Sequence, residues 1–346
     1  MRPSVPAPPS AAPPPAAPPS ADDDGVCRST DGVLASVAAD WYAGNARDLP
    51  WRAAGVTPWG VLVSEIMLQQ TPVARVLPAW RDWMARWPTP AALAADPPGE
   101  AIRAWGRLGY PRRALRLHEC AVVMAARFGG SVPSDVEELL ALPGIGGYTA
   151  RAVAVFAYRQ RHPVVDTNVR RVVARALTGA PAAGPTTTAR DLAVVESLLP
   201  EEPERAALVS VALMELGALI CVARNPRCGD CPLAAACALR VSTTLTVPVG
   251  SSGPAARGLS RRTGQPGPAA HPGRTAPARR TQRYAGTDRQ VRGLLLAVLR
   301  DSTEPVPRVR LDAVWPAAEQ RRRALAGLVA DGLVHDLGHD RFALPG

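Results

Sequence analysis

The chain has 346 residues, 47% of them hydrophobic, which is enough length and apolar surface to build a substantial core. Its formal net charge of +10 indicates a polyanionic partner, most simply nucleic acid. It has no long apolar run and no apolar stretch of the kind found in a secretory signal, so neither a membrane span nor export is expected. A cytoplasmic, nucleoid-associated protein is predicted.

In chain order the composition predicts four regions. Residues 1–28 are rich in Pro and Ala and too poor in large apolar side chains to fold, which predicts a disordered tail. Residues 29–240 show apolar residues at helical spacing and little strand-like alternation, which predicts an all-α domain. Residues 241–286 predict a disordered basic linker. Residues 287–346 predict three helices and a hairpin around Gly338, a small winged-helix-like module.

The stretch "SEIMLQQTP" places one acid, Glu65, next to Ile66, Met67 and Leu68 on a predicted helix. A carboxyl held among apolar side chains is desolvated, which raises its pKa and lets it keep a proton near neutral pH. Glu65 is therefore a candidate general acid. A buried structural acid with a satisfied partner is the competing interpretation.

A glycine-rich turn precedes the apolar helix in "ALPGIGGYTARAVAVFAY", with Gly144, Gly146 and Gly147 at its start. Glycines at a helix N-terminus let backbone N–H groups approach a phosphate closely. Asp166 follows in "HPVVDTNVRRVVARAL", where a short apolar run ends and a helix begins. Asp166 is either an ordinary helix N-cap or a second functional acid.

Four cysteines stand in a C-x6-C-x2-C-x5-C run of seventeen residues: Cys221, Cys228, Cys231 and Cys237. In a cytoplasmic protein such a run predicts a metal or cluster site rather than disulfides. A four-iron iron–sulfur cluster and a tetrahedral zinc are both possible, and a single C-x2-C flanked by lone cysteines favours the cluster. Arg224 and Arg227, inside the first loop of this run, are candidate phosphate contacts.

The order of "LPWR", "SEIMLQQT", "LGYPRRALRLH", "LPGIGGYTA", "VVDTNVRRV", "MELGALIC" and the cysteine run resembles the MutY-type adenine DNA glycosylases of the helix-hairpin-helix superfamily over roughly residues 32–240. The resemblance implies an all-α, two-lobed, endonuclease III-like fold with DNA in the cleft and a [4Fe-4S] cluster. It also implies base-excision repair of adenine mispaired with 8-oxoguanine or G in double-stranded DNA.

The resemblance assigns catalytic roles residue by residue. The family's catalytic acid falls on Glu65 and its catalytic aspartate on Asp166, with Tyr148 and Asn168 as their supports. Breaking an N-glycosidic bond needs one group to protonate the leaving base and one carboxylate to stabilise the sugar cation. Asp166, at a helix N-terminus and hydrogen-bonded to Tyr148 and Asn168, is expected to stay ionised.

The resemblance also implies DNA contacts. The family's wedge near the lesion falls on Tyr110, with Gln69 and Gln70 beside it to fill the space left by a flipped base. The family's adenine-pocket residues fall on Arg47, Leu49 and Trp51.

All 40 basic residues are arginines, so the chain has no lysine side chain to form a Schiff base, and the endonuclease III branch has a lysine where this sequence has Tyr148. A monofunctional, monomeric glycosylase that leaves an abasic site is predicted. A thymine-mismatch glycosylase of the same superfamily is one alternative, and a non-catalytic iron–sulfur DNA-binding regulator is another. The C-terminal segment is too short for the NUDIX-like domain that often reads 8-oxoguanine in this family.

Overall fold

The computed structural model describes residues 30–245 and 284–346. The predicted N-terminal tail and most of the predicted linker lie outside these residues. Within the described ranges the chain is mostly helical, which confirms the predicted fold class. No helix in these ranges is long and apolar enough to cross a membrane.

Residues 30–245 form twelve α-helices and one 3₁₀ turn at Pro50–Arg52. The helices are α1 (Thr30–Asn45), α2 (Pro58–Leu68), α3 (Val73–Arg86), α4 (Pro90–Ala95), α5 (Pro98–Trp105), α6 (Arg112–Arg127), α7 (Val136–Leu140), α8 (Gly147–Tyr158), α9 (Thr167–Leu177), α10 (Ala189–Leu198), α11 (Pro203–Leu219) and α12 (Ala238–Leu245). The last helix runs past the predicted domain end at residue 240, because Val241 N–H continues the helical ladder by donating to Cys237 O at 3.0 Å.

The starts of several helices follow from local sequence. Proline occupies the first turn of α2, α4, α5 and α11, where its missing N–H would have no helical partner and its fixed φ suits the helix. Thr57 caps α2 by accepting a hydrogen bond from Gly60 N–H at 3.3 Å. Asp166 caps α9 in the same manner. These local signals set the start of α2, which carries Glu65, and the start of α9, which Asp166 caps.

The helical domain has two lobes, each with its own apolar core. The first lobe is built from α2–α8 around a cluster rich in tryptophan, in which Trp83 packs edge-on against Trp87 and Trp105. In the second lobe α1, α9, α10 and α11 pack together around a core of Leu, Val and Ala side chains. Helix α8 contacts both α2 and α11, so the lobes meet along it.

Residues 284–346 form a small C-terminal module of three helices and a three-stranded sheet. Its elements are α13 (Asp288–Arg300), β1 (Val306–Pro307), α14 (Arg308–Asp312), α15 (Ala318–Ala330), β2 (His335–Asp336) and β3 (Arg341–Ala343). The sheet is antiparallel in the order β1-β3-β2, and the turn between β2 and β3 contains Gly338 at a φ of 78°. The three helices and the hairpin match the predicted elements, whereas strand β1 has no signal in the sequence. The winged-helix classification stays a prediction.

The module packs on the first lobe through α5. Ile102 is completely buried in the module's own apolar cluster. Gly99 N–H donates to Pro345 O at 2.7 Å, and Arg103 Nη1 donates to Leu299 O at 3.2 Å. A Cβ on Gly99 would lie only 2.5 Å from Pro345 O, so the docking contact requires a glycine at this position.

We expect Gly99→Ala to lower the free energy of unfolding by about 1–3 kcal/mol through steric overlap and to speed up hydrogen–deuterium exchange of residues 340–346. The matched control is Gly44→Ala on α1, where a Cβ meets nothing within 4 Å. Gly44→Ala should stabilise the chain by up to about 1 kcal/mol, because alanine is the better helix former. Unchanged exchange at residues 340–346 in Gly99→Ala would contradict the described docking.

Candidate active site

Glu65 lies on α2 at the junction of the lobes and is only 8% exposed. Burial raises the pKa of Glu65 to about 7. A hydrogen bond from the Tyr148 hydroxyl and the positive charge of Arg52 oppose this rise, whereas the nearby negative charge of Asp166 adds to it. A carboxyl in this state is about half protonated near neutral pH, so it can donate a proton there.

Asp166 is the N-cap of α9, as the sequence indicated. Its Oδ1 accepts hydrogen bonds from Asn168 N–H at 2.8 Å and Val169 N–H at 2.7 Å, and its Oδ2 accepts one from Asn168 Nδ2 at 2.7 Å. Burial raises the pKa of Asp166 above its ordinary value, which the sequence did not indicate. The three hydrogen bonds and the charge of Arg171 lower it again and favour the ionised form.

Tyr148 and Asn168 support the two carboxyls, but not as predicted in every detail. Burial raises the pKa of Tyr148 well above its ordinary value, and its hydroxyl bonds to Glu65. The predicted hydrogen bond from Tyr148 to Asp166 is not found among the described residues, and Asp166 acts on the Tyr148 hydroxyl through its charge. Asn168 does bond to Asp166, and its own Oδ1 accepts from Arg171 Nη2 at 2.6 Å.

A second buried acid, Glu215 on α11, lies in the same region, and the sequence reasoning did not single it out. It is completely buried and accepts hydrogen bonds from Arg47 Nη2 at 2.7 Å and Arg52 Nη2 at 3.0 Å. Burial alone would raise the pKa of Glu215, but its bonds to the two arginines lower the pKa to about 2. Its signal was present in "MELGALIC", where one acid stands among apolar residues as Glu65 does.

The residues predicted to surround the adenine are Arg47, Leu49 and Trp51. Arg47 belongs to this ion pair, and the other two follow it closely in sequence. Arg47 binds Glu215 with its backbone N–H at 2.9 Å and its Nε at 2.8 Å as well. Leu49 and Trp51 are buried in the first-lobe core, where Trp51 packs edge-on against Trp80 at 5.9 Å between ring centroids. Their contact with a base stays a prediction. Arg52 contributes a buried Nη1 without a hydrogen-bond partner among the described residues.

The predicted wedge residue Tyr110 is 49% exposed and has a φ of 49°, a conformation that few residues other than glycine adopt. Beneath it Arg113 is buried, with its guanidinium carbon 5.5 Å from the Tyr110 ring centroid. Arg113 joins the loop to the end of α2 through hydrogen bonds to oxygens of Ile66, Met67, Gln69, Thr71 and Gly109. The structure therefore couples the wedge loop to the helix that carries Glu65.

The two glutamines follow α2 directly. Gln69 is half-buried, and its Nε2 lies 3.5 Å from Thr149 Oγ1 on α8. Gln70 is exposed and has a φ of 55°. Both lie at the end of the helix that Arg113 holds, between the acid and the wedge loop.

The glycine turn lies directly before α8, where the sequence places it. Gly144 has a φ of 78°, and a Cβ on it would lie 2.8 Å from the Arg116 side chain. Gly146 is the N-cap of α8, with nothing within 4 Å of a Cβ position. The Arg151 guanidinium lies 3.4 Å from the Cβ position of Gly147. The turn is therefore flanked by two arginines and open at its tip.

The four cysteines lie in the loop between α11 and α12. Their thiols are within electrostatic reach of one another, since Cys221, Cys228 and Cys237 all raise the pKa of Cys231 in addition to the effect of its burial. In residues 30–245 and 284–346 no three His, Cys, Asp or Glu side chains form a site for a single metal ion. A four-iron cluster takes one thiolate for each iron, and the run supplies four cysteines.

The surroundings of the cysteines suit an anionic cluster. Arg175 Nη1 donates to Cys221 Sγ at 3.5 Å and to Val222 O at 2.8 Å. Of the two arginines in the first loop, Arg227 is bound to Leu219 O through its Nε at 3.0 Å, so part of its side chain caps α11. Arg224 is exposed. Their contact with phosphate stays a prediction.

Comparison with known proteins decides the family. Residues 63–196 match the model of the HhH-GPD superfamily of base excision DNA repair proteins, and residues 221–237 match the iron–sulfur binding domain of endonuclease III. An adenine DNA glycosylase of Mycolicibacterium smegmatis is 56% identical over 88% of this chain and 94% of its own length. The chain belongs to the MutY-type adenine DNA glycosylases. An adenine DNA glycosylase of Mycobacterium tuberculosis is 54% identical over 88% of this chain and 91% of its own.

Among solved structures, a thermostable thymine-DNA glycosylase matches this adenine DNA glycosylase with a TM-score of 0.55 and 26% identity, over 62% of this chain and 97% of that chain. Family membership makes the chain a base-excision repair enzyme, a hydrolase of N-glycosyl bonds with DNA as its partner. The matched iron–sulfur domain contains all four cysteines, which confirms the predicted [4Fe-4S] cluster. The neighbouring glycosylase domain match includes Glu65, Tyr148 and Asp166.

The raised pKa of Glu65 can be tested through stability. The folded state binds a proton that the unfolded state releases above the ordinary pKa of 4.5, so stability falls as pH rises through about 7. As pH rises from about 5 to about 8, the free energy of unfolding of wild type should fall by about 3 kcal/mol relative to that of Glu65→Gln. The measurement is urea unfolding across that range, with the exposed Glu119→Gln as control. A pH-independent difference for Glu65→Gln would contradict the shift.

Glu215→Gln leaves two arginines next to a neutral amide in a buried position. We expect a loss of about 3–5 kcal/mol of unfolding free energy, because breaking a buried ion pair strands the remaining charge. Glu119→Gln on the exposed face of α6 should change stability by less than about 0.5 kcal/mol. Equal effects of the two substitutions in urea unfolding would show that the ion pair is not needed for the fold.

Proposed function

We propose that this adenine DNA glycosylase hydrolyses the N-glycosidic bond of adenine mispaired with 8-oxoguanine or with G in duplex DNA, and leaves an abasic site. The observation that carries the proposal is that a buried carboxyl and a half-buried carboxyl lie near each other with different hydrogen bonding. Glu65 has a pKa of about 7, and Asp166 accepts three hydrogen bonds that favour its charge. One group can therefore give a proton while the other faces a cation.

The reaction follows from these states. Glu65 transfers its proton to N7 of adenine, and the electron pair of the bond between C1′ and N9 moves onto the base, which leaves. The sugar then carries positive charge, which the Asp166 carboxylate stabilises by electrostatic attraction or by a transient bond to C1′. Water adds its oxygen to C1′, displaces the Asp166 carboxylate where a bond to C1′ has formed, and gives one proton to the Glu65 carboxylate. The products are free adenine and an abasic site.

Adenine can reach Glu65 only after it leaves the base stack of the DNA duplex, so it has to be flipped out. Tyr110 is an exposed ring beside the catalytic helix, and Gln69 and Gln70 lie at the end of that helix. In the proposal these three side chains fill the gap. The open glycine turn at Gly144–Gly147, together with Arg224 and Arg227, contacts phosphates. Arg47, Leu49 and Trp51 border the base.

The [4Fe-4S] cluster, bound by Cys221, Cys228, Cys231 and Cys237, would hold the loop that carries Arg224 in shape next to α9. The enzyme is proposed to be monofunctional, because strand cleavage by β-elimination needs an amine and the chain has no lysine. Its monomeric state and nucleoid location remain predictions.

A thymine-mismatch glycosylase is the second candidate, since the chain shares 26% identity with a thymine-DNA glycosylase structure. Glu65 argues for adenine, because N7 of a purine accepts a proton and thymine has no such atom. In a non-catalytic regulator, the proximity of the Glu65 and Asp166 carboxyls would have no function.

The decisive experiment is single-turnover excision on duplexes that contain A:8-oxoguanine, A:G, A:C or T:G. We expect fast adenine release from the first two and no release of thymine. Glu65→Gln should lose about 10²–10⁴-fold in rate, the range for a lost general acid. Asp166→Asn should be similarly impaired. Full DNA binding without base release would support the regulator instead.

The pH dependence of the same assay tests the role of Glu65 separately. The proton donor is lost as pH rises through about 7, so the wild-type rate should fall above that pH. Glu119→Gln should follow the wild-type profile. A rate that rises with pH through this range would mean that Glu65 acts as a base, and an efficient borohydride-trapped adduct would contradict monofunctional chemistry.

A further inference from the structure

The C-terminal module lies next to the proposed wedge. Family models match residues 63–196 and 221–237 and so assign nothing to residues 284–346. Yet Arg289, in the first turn of α13, places its guanidinium carbon 6.0 Å from the Tyr110 ring centroid. The Tyr110 ring is therefore approached by Arg113 from its own lobe and by Arg289 from the module.

Two ion pairs that share Asp331 connect the loop of Tyr110 to the C-terminal module. Arg112, two residues after Tyr110, binds Asp331 Oδ1 at 3.3 Å through its Nη1. Arg292 on α13 binds the other oxygen of Asp331. The Arg292 side chain passes so close to Gly327 that a Cβ at this position would overlap its Nη1. Asp331 thus joins the wedge loop to the helix that carries Arg289.

Arg289 is exposed, and no acid among the described residues pairs with it. Its neighbour Asp288 is already bound by Arg323 at 2.8 Å. The module as a whole has nine arginines and eight acidic residues, so its net charge alone gives little attraction for DNA. The position of one free guanidinium beside an exposed ring is what distinguishes this surface. A guanidinium offers several donors to a phosphate.

We propose that Arg289 binds a DNA backbone phosphate beside the wedge, and that the bridge from Arg112 through Asp331 to Arg292 holds the module in the position that this contact requires. The inference rests on the proposed role of Tyr110 as the wedge. The module then forms one wall of the DNA-binding surface, and Arg289 is a positioning residue for the duplex next to the flipped base.

Binding to a duplex with a tetrahydrofuran abasic analogue opposite 8-oxoguanine tests the inference in the full-length protein. The affinity is measured as a function of salt. A lost phosphate contact lowers the slope of log K against log salt by about 0.9. We expect that reduction for Arg289→Ala and a retained slope for Arg289→Lys. An unchanged slope for Arg289→Ala would overturn the proposal.

Two further variants separate position from charge. Arg322→Ala removes an exposed arginine of the same module that is paired with Glu319, and its slope should match wild type. An equal reduction for Arg322→Ala would mean general attraction by the module and would overturn the role of Arg289. Asp331→Asn removes a negative charge, which by itself should strengthen DNA binding. We expect weaker binding, because Arg289 loses its support, and stronger binding would contradict the bridge.

The outcome does not depend on the proposed substrate, because the probe contains no adenine at the abasic position. Wild type that binds this probe but releases no adenine from A:8-oxoguanine would refute the proposed function and leave the Arg289 contact intact. Wild type that excises adenine, with Arg289→Ala keeping the wild-type slope, would refute the contact alone.

Discussion

The exclusion of water from Glu65 is the constraint on which the site depends. A carboxyl keeps a proton near neutral pH only where its charged form is poorly solvated, and the helices of both lobes have to close around it for that. Helix α8 packs against α2 and α11 and brings Tyr148 to the acid. The apolar neighbours of Glu65 on α2 belong to the first-lobe core, so the same packing stabilises the fold and raises the pKa.

Three carboxyls in one region, of which Glu65 and Glu215 are buried and Asp166 is half-buried, differ in pKa because they accept hydrogen bonds from different donors. Glu215 receives two arginines, and its pKa falls to about 2. Asp166 receives three hydrogen bonds from the start of α9, which offset part of its desolvation. Glu65 receives one tyrosine hydroxyl, and its pKa rises to about 7. The Arg52 charge lowers the pKa of Glu65 while Glu215 holds that arginine, so the ion pair between the lobes also limits the rise in the pKa of Glu65.

The buried Arg113 and the exposed Arg112 connect the helix of Glu65 to the loop of Tyr110 and to the C-terminal module. Arg113 holds the end of α2 and the loop of Tyr110 with one guanidinium, so Glu65 and the proposed wedge residue share a support. Outside that loop, Arg112 and Asp331 extend the connection to the C-terminal module. The helix of Glu65, the loop of Tyr110 and the C-terminal module are thus linked through the side chains of Arg113 and Arg112. The module thus contacts both α5 and α6 of the first lobe.

Local pattern was enough for the all-α class, the cysteine run, the cap at Asp166 and the isolation of Glu65, because each depends on residues close in sequence. The roles of the other site residues were predicted from the order of motifs, which resembles that of a known family. Tertiary structure alone decided the partner of Tyr148, the raised pKa of Asp166 and the pairing of Glu215 with Arg47, which is 168 residues away in the chain. It also decided the approach of Arg289 to Tyr110. Desolvation and charge pairing depend on which helices meet in space, and no local pattern contains that information.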